Sequence, residues 1–196
     1  MSTPRRLGAP DAKNRGVLMD AAEQLMLEQG WAAVTSRRVA EYAGLKPQLV
    51  HYYFRSMDDL FLELFRRRAD EGLEALAQVL KSDRPLHALW TFSTDATAAR
   101  FTMEFVGLAN HHPAIRAEVA RYSEQFRAAQ TEALGRMLAG YGVDTSRFPA
   151  DVLSVLMTSA ARMVVLEQAL GMTAGHAETF AFAEREIGLL ESGQAE

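Results

Sequence analysis

Apolar residues recur every three or four positions along most of the chain, and this spacing predicts helices rather than strands. No sustained alternation of apolar and polar residues, the pattern of a half-buried strand, interrupts it. Ala, Leu, Glu and Arg, which favour helices, dominate the composition. The sequence therefore predicts an all-α fold, with two short helices between residues 35 and 53 and longer ones near 11–29, 57–81, 114–140, 149–170 and 176–190.

Residues 35–60 predict two short helices joined by a tight turn and followed by a long third helix. Thr35 is a suitable N-cap for the first short helix, and Gly44 can take the left-handed conformation that ends it. Pro47 suits the first turn of the second, because its missing N–H is not needed there. Ser56 is placed to cap the long helix. Two helices joined by a glycine-containing turn form the arrangement that places the second helix in the major groove of DNA.

A set of residues in this segment carries a family resemblance through both identity and spacing: Thr35, Ala40, Ala43-Gly44-Leu45, Tyr52-Tyr53-Phe54, Ser56 and Asp59-Leu60. On these residues the sequence resembles the TetR family of bacterial transcriptional regulators, over about residues 17–60. The resemblance implies a three-helix DNA-binding head with a helix-turn-helix at residues 1–56. A larger helical domain for ligand binding and dimerisation would follow at residues 57–196. Two positions depart from many members, since His51 replaces a Tyr and Met57 replaces a Lys.

The residues that this pattern leaves on the outer side of the second short helix are predicted DNA contacts: Lys46, Gln48, Leu49, His51 and Tyr52. Arg37 is predicted to reach a base edge, because arginine pairs bidentately with guanine. Thr35 and Tyr53 join Lys46 as predicted phosphate contacts, which position a protein without specifying sequence. The alternative is a helix-turn-helix that serves only as a protein-interaction module. The basic and aromatic character of the outward set favours DNA.

The formal net charge of −4 is unevenly distributed. Residues 1–56 contain eight Lys or Arg and five Asp or Glu. The remainder of the chain contains 13 Lys or Arg and 20 Asp or Glu. A basic segment followed by an acidic body is typical of a DNA-binding head attached to a sensor domain. Residues 1–10 have a composition typical of a disordered, solvated tail. The alternative is that Arg5 and Arg6 contact phosphate or reach the minor groove of DNA. Lys13 and Arg15 are expected near the start of the first long helix, where they can meet phosphate.

Several other classes of protein are disfavoured. The chain has no cysteine, and therefore no disulfide framework or thiolate site. It has no apolar run of membrane-spanning length and no signal peptide, so a cytoplasmic location is expected. We find no phosphate-cradling glycine loop, nucleophile motif or paired metal ligands. His111 and His112 point about 100° apart on a helix, which favours a turn over a metal site. We therefore expect neither an enzyme nor a bound cofactor.

Residues 85–110 combine large apolar side chains with isolated hydroxyl groups, which suits either an apolar ligand cavity or an ordinary helical core. The cavity interpretation, extended to later helices, predicts the following lining: Trp90, Phe92, Met103, Phe105, Tyr122, Phe126 and Met157. Such a lining favours an aromatic, lipid-like or steroid-like compound, and no cationic pair is placed to demand an anionic one. The arginine run 66–68 and one face of the 114–140 helix are expected to be solvated: Arg116, Glu118, Arg121, Glu124 and Arg127.

The last two predicted helices carry more apolar surface than one internal contact needs, which predicts a symmetric partner. The family resemblance implies the same, namely a four-helix dimer interface built from these helices. Two heads about one turn of DNA apart (~34 Å) would then match successive major grooves. The combined expectation is a homodimer that binds a palindromic operator. Repression relieved by a small apolar ligand is the usual direction in the resembled family.

Overall fold

The computed structural model describes residues 9–193, with side chains described from residue 13. Of the tail predicted to be disordered, residues 9 and 10 begin a helix, and residues 1–8, with Arg5 and Arg6, lie outside the described range. The described residues contain helices and no strands, which confirms the all-α prediction. A short 3-10 turn at Trp31–Ala33 follows the first helix. The helices are α1 (Ala9–Gln29), α2 (Ser36–Tyr42), α3 (Pro47–Tyr53), α4 (Met57–Val79), α5 (Pro85–Ser93), α6 (Ala96–Ala109), α7 (Pro113–Gly140), α8 (Ala150–Ala169) and α9 (His176–Glu191).

The apolar stretch at residues 85–110 is divided into two helices. The hydroxyl of Thr94 bonds back to the carbonyls of Trp90 and Thr91, both at 3.1 Å, and so ends α5. Asp95 then accepts a hydrogen bond from the N–H of Ala98 at 2.6 Å, which caps the start of α6. The break is therefore set by local polar groups and not by the apolar pattern.

The described residues form two compact units. The first unit contains residues up to Arg68 together with Phe101–Val119, and the second contains Ala69–Arg100 and the residues from Ala120 onward. The boundary therefore falls inside α4, α6 and α7. Most of α6 belongs to the same unit as α1, α2 and α3. The domain limits expected from the family resemblance, 1–56 and 57–196, stay a prediction.

Aromatic packing between α4 and α6 fills the centre of the first unit. Phe105 is 0% exposed, and its ring centroid lies 4.7 Å from that of Phe101 and 5.0 Å from that of Phe65. Phe61 adds an edge-on contact at 6.5 Å. Because all four rings are buried, they contribute a large part of the apolar area that stabilises this unit.

The second unit has a separate apolar core, made of leucines from α4, α5 and α7: Leu76, Leu86, Leu89, Leu134 and Leu138. Gly72 permits α4 to approach α7, because a β-carbon at this position would lie 2.9 Å from Cζ of Phe126. Gly72 is therefore a packing position, where the absence of a side chain admits the ring of Phe126.

The carboxylate of Glu191 caps α5. Its Oε1 accepts hydrogen bonds from the backbone N–H groups of Leu86 at 2.9 Å and His87 at 3.1 Å. The Nε of Arg84 lies 2.9 Å from Oε2. These bonds satisfy first-turn donors that have no partner within the helix, and they join α9 to α5.

We expect Glu191→Ala to lower the free energy of unfolding by about 0.5–2 kcal/mol, the usual effect of losing a helix cap. Urea denaturation followed by circular dichroism would measure it. Glu74→Ala, at an exposed position of α4, is the matched control and should change stability little. Equal effects of the two substitutions would contradict a capping role for Glu191.

Candidate nucleic-acid interface

The turn between α2 and α3 has the geometry that its sequence predicts. The hydroxyl of Thr35 accepts a hydrogen bond from the N–H of Arg38 at 3.4 Å, which confirms the cap of α2. Gly44 has a φ of 65°, and the N–H of Leu45 bonds to the carbonyl of Ala40 at 2.8 Å. This is the hydrogen-bond pattern of a helix closed by a left-handed glycine. Pro47 then opens α3.

The inner side of this helix-turn-helix is fixed by buried apolar residues. Val39 and Ala40 on α2 are fully buried, as are Val50 on α3 and Phe54 directly after it. Ser56 accepts a hydrogen bond from the N–H of Asp59 at 3.1 Å, which confirms the cap of α4. With one side held in the core, the opposite side of α3 faces solvent.

The structure brings the predicted DNA contacts together on the outer side of α2 and α3. Leu49 and Tyr53 are half-buried, and the ring of Tyr53 lies edge-on to that of Tyr52 at 4.9 Å. The other predicted contacts are exposed: Thr35, Arg37, Lys46, Gln48, His51 and Tyr52. Their role in DNA binding stays a prediction.

The positive charges of this surface differ in what they contact. Within the described residues, neither Arg37 nor Lys46 lies in an ion pair. Arg38 donates to the carbonyl of Ala33 at 3.5 Å, and Arg15, expected near phosphate, is paired with Glu63. Arg37 and Lys46 are therefore the cations of the helix-turn-helix most available to a nucleic acid.

The arginine run at residues 66–68, expected to be solvated, is exposed only at Arg66, and Arg67 and Arg68 are half-buried. All three side chains form ion pairs within the first unit, two of them with acids of α1, so they bind α4 to its neighbours. Arg66 is paired with Glu118 at 2.5 Å. Arg67 is paired with Asp20 at 2.6 Å and with Glu23 at 3.0 Å. Arg68 is paired with the same Glu23 at 3.1 Å.

Helix α6 contacts the 3-10 turn that precedes the helix-turn-helix. The Oε2 of Glu104 accepts a hydrogen bond from the backbone N–H of Trp31 at 2.7 Å. A β-carbon at Gly107 would lie 3.3 Å from Nε1 of the same tryptophan. Sequence reasoning missed this contact, although Glu104 is the only acid in α6 and lies among apolar residues.

The two adjacent histidines lie in the turn between α6 and α7, next to the same tryptophan. The rings of His111 and His112 lie 6.1 and 6.5 Å from that of Trp31. The Nδ1 of His112 is 3.0 Å from a carboxylate oxygen of Asp58, at the start of α4. Within the described residues, no group of His, Asp or Glu has the arrangement of a metal site.

The residues predicted to line a ligand cavity fall into two sets. Met103 and Phe105 belong to the first unit, where Met103 is 44% exposed and Phe105 is in the aromatic core. The other five belong to the second unit: Trp90, Phe92, Tyr122, Phe126 and Met157.

All five residues in the second unit make contacts within that unit. The ring of Trp90 lies 5.7 Å from that of Phe180. The hydroxyl of Tyr122 donates to Asp70 at 2.6 Å, and this bond, together with burial, raises the pKa of Tyr122. The remaining three, Phe92, Phe126 and Met157, pack against the leucine core. Ligand binding by these residues stays a prediction.

The face of α7 that was expected to be solvated is interrupted at two positions. Glu118 is half-buried and paired with Arg66. Arg127 is also half-buried, and it donates to the hydroxyl of Ser154 on α8 at 2.9 Å. Hydrophobic periodicity cannot distinguish a charged residue in solvent from one that bonds to a polar group on a neighbouring helix.

Helices α8 and α9 leave large apolar side chains exposed. Four of them recur at helical spacing along one side of α8 and are between 47% and 59% exposed. The exposed set is Val152, Val155, Leu156, Met163, Phe182 and Leu189.

Comparison with known proteins gives the following similarities. Residues 18–64 match the family described as bacterial regulatory proteins, tetR family. The HTH-type transcriptional repressor BepR of Brucella suis biovar 1 (strain 1330) is 32% identical over 87 residues, which cover 43% of this chain and 42% of that protein. The HTH-type transcriptional regulator BetI of Rhizobium meliloti (strain 1021) is 40% identical over 52 residues, 26% of each protein. The chain thus matches less than half the length of either relative.

Solved structures resemble most of the chain in fold. A TetR transcription regulator from Haloarcula marismortui ATCC 43049 superposes with a TM-score of 0.71, covering 92% of this chain and 97% of that one at 16% identity. The transcriptional regulator FadR from Bacillus subtilis, in complex with stearoyl-CoA, superposes with a TM-score of 0.68. The superposition covers 91% of this chain and 98% of that one, at 14% identity. None of the helices in the described range combines the length and the apolar character that a membrane span requires.

Proposed function

Since this chain belongs to the tetR family of bacterial regulatory proteins through its residues 18–64, we propose that it is a transcriptional regulator that binds operator DNA as a homodimer. The observation that carries the proposal is the outer surface of α2 and α3, where basic, amide and aromatic side chains are exposed together while the inner side is buried. Repression is the proposed direction. BepR is named a repressor, which supports it.

The proposed reading of DNA assigns different tasks to different side chains. Arg37 and Gln48 present the groups that pair with guanine and adenine in the major groove, so they are the proposed base readers. Lys46 and Thr35, at the starts of α3 and α2, are proposed to contact phosphate. Tyr52 offers an apolar ring and a hydroxyl at the same surface.

Homodimerisation is proposed through α8 and α9, because their exposed apolar side chains would be covered by the same helices of a second copy. A two-fold axis would present two helix-turn-helix elements to the two halves of a palindromic site. The exposed apolar side chains of α8 and α9 support this arrangement.

A small ligand is proposed to relieve binding. The FadR structure, which resembles this chain in fold, contains stearoyl-CoA, and this supports a ligand-binding role for the helical body. Within the first unit, the bond from Glu104 to Trp31 connects α6 with the turn before α2. A shift of α6 would therefore act directly on the segment that orients the helix-turn-helix.

The test of this proposal is DNA binding by the full chain and by Gln48→Ala. Genomic fragments selected by the wild-type protein would first supply the operator, and fluorescence anisotropy would then give the affinity at two salt concentrations. We expect Gln48→Ala to weaken operator binding by ~1–3 kcal/mol and to relax specificity at one base pair. Wild-type affinity should fall steeply with salt.

Gln78→Ala is the control, because Gln78 is an exposed amide of α4 outside the helix-turn-helix. Its operator affinity should equal that of the wild type. If neither Gln48→Ala nor Arg37→Ala changed the affinity for DNA, α3 would not be the reading helix, and the interaction-module alternative would be favoured.

A further inference from the structure

A chain of polar groups is buried between α7 and α8 in the second unit. Gln130, Ser154 and Thr158 are only 6%, 0% and 7% exposed. The hydroxyls of Ser154 and Thr158 lie 3.4 and 3.3 Å from the amide oxygen of Gln130. Arg127 donates to both hydroxyls, at 2.9 and 3.4 Å. The hydroxyls therefore hold this guanidinium in place at the edge of the core.

A second guanidinium belongs to the same region. Arg162 follows Thr158, which Arg127 contacts, by one helical turn on α8, and Arg162 is exposed to solvent. The surrounding protein removes water from Arg162, and the charge of Arg127 repels it, so both effects lower the pKa of Arg162. The two cations are therefore close enough to destabilise each other.

Neither cation is neutralised by the described part of the chain. No Asp or Glu among those residues forms an ion pair with Arg127 or Arg162. This contrasts with the arginines at 66–68 and with Arg84, all of which have carboxylate partners. Arg127 is half-buried and Arg162 is exposed. Two positive charges that repel each other without a counterion cost free energy, and an anion bound by both would offset that cost.

The donor geometry indicates which anion. Guanidinium groups present planar pairs of N–H donors that match the oxygens of a carboxylate or a phosphate. Phe126 and Met157, which directly precede Arg127 and Thr158 in sequence, pack against the leucine core of this unit. An anionic head group at the arginines would therefore have apolar side chains close by.

We propose that Arg127 and Arg162 form a binding site for the oxyanion head group, carboxylate or phosphate, of a small amphiphilic ligand. The inference deepens the proposed function, on which it rests for the ligand's role as effector. It also revises the expectation from sequence that no cationic pair demands an anionic ligand. Sequence reasoning placed Arg127 in solvent and did not consider Arg162, so it did not find the pair.

The test uses the full chain and three probes that share a ten-carbon chain: decanoate, decyl phosphate and decanol, each below its aggregation concentration. Isothermal titration calorimetry would measure their affinity for the wild type and for Arg162→Gln. We expect Arg162→Gln to weaken binding of the anionic probe at least tenfold and to leave decanol unchanged. Comparison of decanoate with decyl phosphate identifies the preferred head group. Arg136→Gln is the control, because Arg136 is an exposed arginine of α7 that is paired with Glu132.

Thermal unfolding without ligand supplies a second readout. Because Arg162 has no carboxylate partner in the described residues and is repelled by Arg127, Arg162→Gln should not lower Tm. Inorganic phosphate should stabilise the wild type more than Arg162→Gln at equal ionic strength. A lower Tm, with weaker dimerisation in sedimentation experiments, would instead mean that Arg162 pairs with a carboxylate of a second copy. That outcome would overturn the proposal.

The same variants distinguish this inference from the proposed function. If the wild type binds operator DNA and is released equally well by decanol and decanoate, the proposed function is supported and the proposed anion site is contradicted. If decanoate binds through Arg162 but no genomic DNA is selected, the proposed anion site is supported and the proposed function as a DNA-binding regulator is contradicted. Failure of both anionic probes to bind would overturn the anion site.

Discussion

Leu156→Glu should convert the proposed homodimer into monomers and reduce operator affinity by about 10²–10⁴-fold, the gain that joining two binding modules usually gives. Leu156 is 59% exposed on α8 and lies within its exposed apolar set. At a two-fold interface the same side chain is present on both subunits, so one substitution introduces two charges into the contact. Two carboxylates desolvated against apolar side chains would cost several kcal/mol. Monomers would then contact only one half of a palindromic site.

Sedimentation velocity would measure the dimer, and fluorescence anisotropy would measure operator affinity on the same samples. Ala128→Glu is the control, since Ala128 is an exposed position of α7 where a new carboxylate should be solvated. Circular dichroism would establish that both variants keep their helices. A stable dimer in Leu156→Glu would show that the symmetric interface is not on this face of α8.

Phe105→Ala should lower the free energy of unfolding by about 3–5 kcal/mol. Its side chain has no exposed surface and contacts the rings of Phe65 and Phe101. Removing it would leave a cavity among aromatic rings that join α4 to α6, and these rings cannot all move inward to fill it. Urea denaturation followed by fluorescence would measure the loss.

Met103→Ala on the same helix is the matched control. Met103 is largely exposed, so its substitution should stay within about 0.5 kcal/mol of the wild type. The pair of variants also decides between the two interpretations of the apolar stretch. If Phe105→Ala changed ligand release while costing little stability, Phe105 would line a cavity and would not be a core residue.

Local signals in the sequence were sufficient for the helix-turn-helix. The hydroxyls of Thr35 and Ser56 cap the helices that follow them, and Gly44 has the positive φ expected of it. Each of these features depends on residues only a few positions apart. Pro47 likewise stands in the first turn of α3. A single sequence contains all the information that such short-range geometry requires.

Contacts between distant segments could not be predicted in the same way. Glu104 bonds to Trp31 across 73 positions, and Arg67 bonds to Glu23 across 44. Nothing in the spacing of either residue specifies its partner. Arg127 illustrates the same limit, because its position on the helical wheel matched a solvated face, whereas its side chain bonds to the hydroxyls of Ser154 and Thr158 on α8.

The cap that Glu191 provides for α5 also bears on the order in which the chain folds during synthesis. The ribosome makes Glu191 105 residues after Leu86, whose N–H it binds, so the first turn of α5 must wait for its cap. By contrast, all described residues of the first unit have been translated once Val119 is made. Because domains tend to fold as units while the chain emerges, we expect the half that carries the helix-turn-helix to mature first. The second unit would complete its folding only after Glu191 has been made.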